Sequence, residues 1–416
     1  MRHALVSLTF VLASCGSDGT EIAPAPLPPA PPKSGRPTTP DPIHSPPVQG
    51  ETRMVVPSSG LPSAYFAEEG ISNNNLDVVR HDGRVFLAVR NGKYHYASPD
   101  TRIWVFSSTD EITWQLETKI SLGHDVREPR FLSFNGRLFL YFANLGVDRF
   151  DFEPHGMSMT EHLGPGSWTD PAPFYKPGEP YIAWRVRVLN GRPYMLAYAH
   201  GEHEYDFSGE PITIELLTSD DGVAWSPVDP AHPIVSSGGG SETDIAFDDR
   251  GDLYAVIRNE AGDDTGWGAK ICYAPHDQLG VWTCNHDSRK YDSPYLFAYG
   301  GEIFLYGRKN VTDDGNFELD PGTPWSPAEA VKNLAIYSSK PKRCALWQLD
   351  RATLTMRFVD DLPSRGDTCF VGMLPTTDPR TFAVYDYSSP LDGPDPSWNM
   401  GQLGQTNIYR TPVTFW

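Results

Sequence analysis

Short apolar runs, each entered through a tight polar turn, recur along this chain. The plainest copy is Phe134–Phe142, in which Asn135-Gly136 separates a short strand from the apolar run Leu138-Phe139-Leu140-Tyr141-Phe142. Further copies run from His81-Asp82-Gly83-Arg84 into Val85–Arg90, from Asn190-Gly191-Arg192 into Pro193–Ala199, and from Asp249-Arg250-Gly251-Asp252 into Leu253–Arg258. Two more run from Gly300-Gly301-Glu302 into Ile303–Arg308 and from Asp378-Pro379-Arg380 into Thr381–Tyr387. Asn-Gly, Asp-Gly and Gly-Gly pairs accept the positive φ that two-residue hairpin turns demand, so the pattern predicts a β-hairpin at each copy. Repetition at irregular intervals predicts propeller blades carrying loop insertions.

A third β-rich run follows each hairpin: Arg102–Phe106, Gly156–Thr160, Ile212–Leu217, Ala269–Tyr273, Asn333–Tyr337 and Asn407–Thr411. Trp114, Trp168, Trp225, Trp282 and Trp347 then mark a fourth run in most units. Four antiparallel strands repeated radially leave only short, protected edges. The last unit, from about Asp367, shows three strands before the chain ends, and Leu61–Ala67 is expected to add its outer strand. The expectation is an all-β fold over 61–416, a six-bladed β-propeller of four-stranded blades, or five blades if one hairpin is an insertion.

Composition adds limits on partners. Hydrophobic residues at 39% and aromatics at 12%, with 37 Gly and 39 Pro, suit a turn-rich β domain. A net charge of −19 disfavours nucleic acid, because backbone phosphates demand a basic patch. No Gly-rich phosphate loop and no Ser-His-Asp motif stands out, and His95, His124, His155, His200 and His203 are scattered, so no metal or other cofactor is expected. A monomer is expected.

The front of the chain reads as an export signal over 1–14: Arg2 gives the basic start and Ala4–Ala13 the short apolar core. Leu12-Ala13-Ser14-Cys15 resembles a bacterial lipobox, which implies cleavage before Cys15 and a lipid anchor on it. Gly16 at the next position resembles the outer-membrane-sorted class, which implies the cell envelope as location. Residues 15–60 form the lipidated end and a Pro-rich linker, whose Pro24–Pro47 stretch reaches up to roughly 70 Å at about 3.1 Å per residue if extended. The four remaining cysteines, an even count in an exported chain, are expected to pair as Cys272–Cys284 and Cys344–Cys369.

Thr218-Ser219-Asp220-Asp221-Gly222-Val223-Ala224-Trp225 resembles the Asp-box of sialidase-like propellers, and Ser107–Trp114 resembles a degenerate second copy. The resemblance implies a turn between third and fourth strands, away from the functional face. It further implies a sialidase-type site, to which Glu242 and Arg258 correspond as glutamate and second arginine. Asp100, in Tyr96-Ala97-Ser98-Pro99-Asp100, stands about where the acid/base would. The match is partial: Asn74 or Asn75 stands where the first arginine belongs, Asp292 near the fifth-blade arginine and Thr368 near the tyrosine nucleophile.

Polar residues recur at equivalent repeat positions, as a central mouth would require. First strands carry Asp77, Arg127, Glu128, Arg130, Arg185, Glu242 and Asp292, and second-strand ends carry Arg90, Arg258, Arg308 and Tyr385. Glycosidase chemistry needs two opposed carboxylates, one protonated and one ionised. Glu242 is the expected acid, with Glu128 or Asp292 as base or nucleophile and Asp77 as a further candidate. The arginines Arg90, Arg127, Arg130, Arg185, Arg258 and Arg308, with Tyr385, would bind the sugar. Arg127-Glu128-Pro129 also resembles the Arg-Asp-Pro motif of five-bladed furanosidase propellers, and Asp292-Ser293-Pro294-Tyr295 has a similar look. Tyr94, Tyr96, Trp184, Trp267 and Tyr295 could stack on sugar faces. The same charge pattern also suits inter-blade ion pairs, so a carbohydrate- or protein-binding propeller without catalysis stays open beside a glycoside hydrolase.

Overall fold

Each turn-centred hairpin read from the sequence forms, and each opens a separate antiparallel sheet. The computed structural model describes residues 35–68, 70–148, 154–200, 210–313, 315–318 and 322–416. Cys15 and the segment 1–14 lie outside the described residues, as does His203.

Blade 1 runs Ser72–His81, Arg84–Gly92, Arg102–Ser108 and Gln115–Ile120, hydrogen-bonded in that order. Blades 4 and 5 repeat this order, starting at Gly240–Phe247 and Asp292–Tyr299. Blades 2 and 3, starting at Val126–Phe134 and Tyr181–Leu189, each carry two short outer pieces instead of one fourth strand. Blade 6 is Gly372–Pro375, Thr381–Ser388 and Asn407–Thr414, with outer strands taken from the front of the chain. First strands touch across five of the six blade junctions and so ring the central axis. The fold is a six-bladed β-propeller.

The ring closes differently from expectation. Val48–Gln49 and Arg53–Val56 pair antiparallel with Asn407–Thr414, while the expected closing segment contains the helix Ser63–Phe66. Leu61 and Tyr65 are both buried while Ser63 between them is exposed, a pattern that suits a helical turn rather than a half-buried strand, and Tyr65 packs edge-on against Trp104 and Phe106. Part of the Pro-rich linker is likewise bound to the body. Asp41 pairs with Arg351 at 2.6 Å, and His44 meets Glu302 at 2.7 Å and stacks on Trp416 at 4.2 Å.

A second correction concerns blade 5. Asn333–Tyr337 lies in the helix Pro327–Ser339, whose start carries Ser326 as N-cap, accepting from the Glu329 amide at 3.3 Å, and proline in the first turn. Ala330, Asn333 and Tyr337 are its buried face. The third strand is instead Lys342–Asp350, so Trp347 sits there and not on a fourth strand.

Both expected disulfides are present. Cys272–Cys284 joins directly paired residues of neighbouring strands in blade 4, and Cys344–Cys369 ties blade 5 to the start of blade 6. The two turns that resemble Asp-boxes share one hydrogen-bond scheme. Asp221 Oδ1 accepts from the Val223 and Ala224 amides at 2.8 and 2.9 Å, and Asp110 Oδ1 from Ile112 and Thr113 at 2.8 Å each. Gly222 must be glycine: its φ is +77°, and a Cβ there would lie 2.7 Å from the Phe139 ring of blade 2.

The Thr113 and Ile112 amides hold the Asp110 carboxyl down to about 2. A carboxyl lowered on folding contributes stability that is present above its unfolded value and lost as pH falls through the folded one. Urea midpoints should therefore fall more steeply between pH 4 and pH 2 in the native chain than in Asp110→Asn, which keeps the acceptor oxygen but cannot titrate. Parallel curves would contradict the assignment.

Candidate functional site

The innermost strand is interrupted by a bulge in five of the six blades. Pairing slips between Asn74 and Leu76, Arg127 and Arg130, Ala183 and Arg185, Gly240 and Thr243, and Asp292 and Tyr295. A bulge leaves a residue off the ladder and re-aims its side chain, and bulges concentrate beside active sites. Asn75, Glu128 and Ser293 pay for this with φ of 39°, 54° and 54°, a conformation costing on the order of 1–3 kcal/mol for such residues. Pro129 and Pro294 follow two of them, which fits a place where no ladder donor is needed. Asn75, Glu128, Glu242 and Ser293 thereby line one cavity at the mouth, about 620 Å³ including the part open to solvent.

Glu128 is buried in the wall of this cavity, and its Oε2 has no hydrogen-bond partner among the described residues. Burial, reinforced by the Glu242 carboxylate, pushes its carboxyl up to about 7. Glu242 is engaged: Oε1 accepts from Arg258 at 2.7 Å and Oε2 from the Ser293 amide at 2.6 Å. Burial raises its carboxyl too, with Arg258 opposing and Glu260 adding to the rise. The Arg258 guanidinium also meets Glu260 at 2.5 Å and Asp292 at 3.1 Å, so three carboxylates surround it. Asp292 is fully buried, below its ordinary value because Arg258 and Lys290 outweigh the cost of burial, and does not reach the cavity wall.

Asp125 organises the next sector. It accepts from Arg90 Nε at 2.9 Å and Arg127 Nε at 2.8 Å. Arg127 lines the cavity, whereas Arg90 is wholly buried behind it and holds the Tyr94 and Tyr96 carbonyls at 3.3 and 2.9 Å. Those bonds shape the loop that presents His95 to the cavity. His95 Nδ1 lies 2.7 Å from Asp367 Oδ2, and Asp367 Oδ1 accepts from Tyr387 OH at 2.9 Å and Trp398 Nε1 at 3.0 Å. Arg308, also in the wall, donates to the Thr368 carbonyl at 2.7 Å and the Ser293 hydroxyl at 3.1 Å.

Of the expected site residues, Glu128, Glu242, Arg127, Arg258 and Arg308 therefore share the cavity. The others lie outside its wall. Asp77 accepts from the Phe131 amide of blade 2 at 2.7 Å, as Asp244 accepts from the Leu296 amide of blade 5 at 2.8 Å; both stitch innermost strands together. Arg130 is sandwiched at 4.8 Å from Trp184 and 4.1 Å from Phe370, and Arg185 donates to the Pro294 carbonyl at 2.8 Å and stacks 4.9 Å from Tyr295. Asp100 is exposed on its loop, away from the cavity wall. Tyr385 donates to Glu111 at 2.7 Å, joining blade 6 to the turn of blade 1, also away from the cavity. Trp184, Trp267 and Tyr295 are core, and neither Tyr94 nor Tyr96 forms part of the wall. Sequence reasoning picked out Asp367 as a first-strand polar residue of the last unit but missed Glu260, Trp398 and the part played by His95, because loops and a short helix far apart in the chain bring them in.

No family model matches the chain, and no curated protein does. Among solved structures, a protein of unknown function from Dyadobacter fermentans superposes over 88% of this chain and 99% of its own at 15% identity, TM-score 0.56. Trypanosoma rangeli sialidase superposes over 82% of this chain at 13% identity, TM-score 0.52; the match spans 55% of that sialidase, about half its length. A family 117 glycoside hydrolase of Zobellia galactanivorans gives a TM-score of 0.39 over 65% of this chain at 15% identity, too low to carry an argument. At such identities the likeness shows a shared propeller fold with sialidases and nothing finer.

The elevated Glu128 carboxyl has a cost that stability measurements will read. A carboxyl raised on folding leaves stability intact below its unfolded value, near 4.5, and removes it as pH rises through about 7. Glu128→Gln should stabilise the protein at pH 8 by on the order of 3 kcal/mol and change little at pH 4.5. Equal denaturation midpoints for both proteins at pH 8 would refute the shift.

Proposed function

We propose that this protein binds a glycan at the propeller mouth and hydrolyses a glycosidic bond there, with Glu128 as proton donor. The observation that carries the reading is Glu128 itself: an off-ladder, strained, buried carboxyl in the cavity wall, pushed up to about 7 and so still partly protonated at neutral pH. Glu242 is held by Arg258, which favours Glu128 over Glu242 as the proton donor. Arg127, Arg258 and Arg308 orient hydroxyl or carboxylate groups of the sugar, and Tyr198, Phe370 and Trp398 offer it apolar faces. The sialidase fold likeness supports a carbohydrate ligand by analogy only.

A second reading is a carbohydrate-binding propeller without turnover. It is favoured by Arg258, whose charge is already met by three carboxylates, and by Arg127, already paired with Asp125. In both readings Cys15 carries a lipid that anchors the protein in a bacterial envelope, with the propeller acting as a monomer.

The full chain should hydrolyse at least one member of a panel of nitrophenyl glycosides and methylumbelliferyl sialic acid. Glu128→Gln should lower that kcat by about 10²–10⁴-fold while leaving oligosaccharide binding by calorimetry near the native value. An inert panel together with measurable glycan binding selects the second reading. Labelling of bacteria expressing the chain with radioactive palmitate should tag the protein, and Cys15→Ala should abolish the tag; equal labelling of both would rule out the anchor.

A further inference from the structure

We infer that His95, held by Asp367, is the general base of this pocket, taking a proton from the water that attacks the sugar; this rests on the hydrolase reading above. The geometry is that of a positioned base. Asp367 is wholly buried and accepts three hydrogen bonds, from His95 Nδ1, Tyr387 OH and Trp398 Nε1. The donors from Tyr387 and Trp398 suit an ionised carboxylate, which can only accept, so the shared proton belongs to Nδ1 and the neutral ring keeps its lone pair on Nε2. Nδ1 being committed to Asp367, Nε2 is the ring nitrogen left to the cavity that His95 lines.

The loop bearing His95 is fixed at four backbone groups. The His95 amide donates to the Gln402 carbonyl at 2.9 Å, its own carbonyl accepts from Arg127 at 2.9 Å, and Arg90 holds the carbonyls on either side. An isolated core histidine needs none of this; a catalytic one must be held within a few tenths of an ångström.

The groups facing His95 are Asp367 and Tyr387 of blade 6, Arg127 of blade 2 and Arg90 of its own blade. Burial and the two arginines outweigh Asp367 and hold the imidazole below its ordinary value, so it is neutral at pH 7. It then complements Glu128, which is still partly protonated there.

The step balances. Water oxygen bonds to the anomeric carbon and gives one proton to His95 Nε2. The glycosidic C–O bond breaks with its electron pair on the leaving oxygen, which takes the Glu128 proton. Asp367 stabilises the imidazolium, and solvent returns the proton from His95 to Glu128. A single displacement inverts the anomeric centre.

Three measurements on the full chain test this. In a long-range proton–nitrogen spectrum of histidine-labelled protein at pH 7, the signal absent from His95→Gln should show the neutral Nδ1–H form, and diethyl pyrocarbonate should modify His95. On whichever panel glycoside is turned over, His95→Gln should lower kcat by about 10²–10⁴-fold with KM within threefold, and the acidic limb of kcat/KM against pH should disappear. Added imidazole should restore part of the rate to His95→Ala, and the first-formed product should have inverted configuration. Native kcat in a folded His95→Gln protein, an Nε2–H form, or retained configuration overturns the assignment. An inert panel with a reactive Nδ1–H histidine removes the hydrolase reading and leaves His95 a competent base; an inert panel with an unreactive or Nε2–H ring removes both.

Discussion

The site depends on one backbone device, the bulge near the start of the innermost strands. A propeller's first strands pair on one side only and converge on the axis, where a regular ladder would alternate side chains between neighbouring blades. Slipping the pairing by one residue releases Asn75, Glu128, Glu242 or Ser293 from that alternation and turns them into the mouth. The positive φ of Asn75, Glu128 and Ser293 is tolerated because the strands on either side are hydrogen-bonded and buried.

Around that device the charges follow a division of labour. Aspartates just below the bulges, Asp77 and Asp244, spend their oxygens on backbone amides of the next innermost strand. Arg130, Arg185 and Arg187 fill the axis by stacking on Trp184, Phe370 and Tyr295. Ionic groups at this depth are tolerable only when paired, hydrogen-bonded or stacked. Arg130 meets this condition by stacking alone, since none of its nitrogens has a hydrogen-bond partner among the described residues, whereas Glu128 is buried with its Oε2 unpartnered among them and another carboxylate nearby. A buried group that breaks the rule is where function is to be sought.

Loops from blade 1 and blade 6 complete the mouth. Arg90 carries the loop of His95, while the helix Trp398–Gln402 brings Trp398 over Asp367 and Arg308. The disulfide Cys344–Cys369 secures the segment whose carbonyls, at Thr368 and Cys369, receive Arg308. Blades 5, 6 and 1 thus act together although their residues lie far apart in the chain.

The sequence by itself determined the repeats. Turn pairs such as Asn135-Gly136 need positive φ and the apolar runs after them need burial, so six hairpins and a propeller follow from local chemistry. It also marked Arg127, Glu128 and Glu242 on first strands and Arg258 and Arg308 at second-strand ends, while the Glu128-Pro129 and Ser293-Pro294 pairs stood only as a motif likeness until the structure showed interrupted ladders there. Tertiary structure alone decided the rest. Which strand closes the ring depends on Arg53–Val56 finding Asn407–Thr414, more than three hundred residues away. Whether an arginine binds ligand or props a loop depends on its depth, which separates Arg127 from Arg90 although both pair with Asp125. Where Tyr385 and Tyr387 lie along one strand sends the first to Glu111 and the second to Asp367. Local patterning fixes which face of a strand is buried, but the partner across a blade interface is set only when the ring closes.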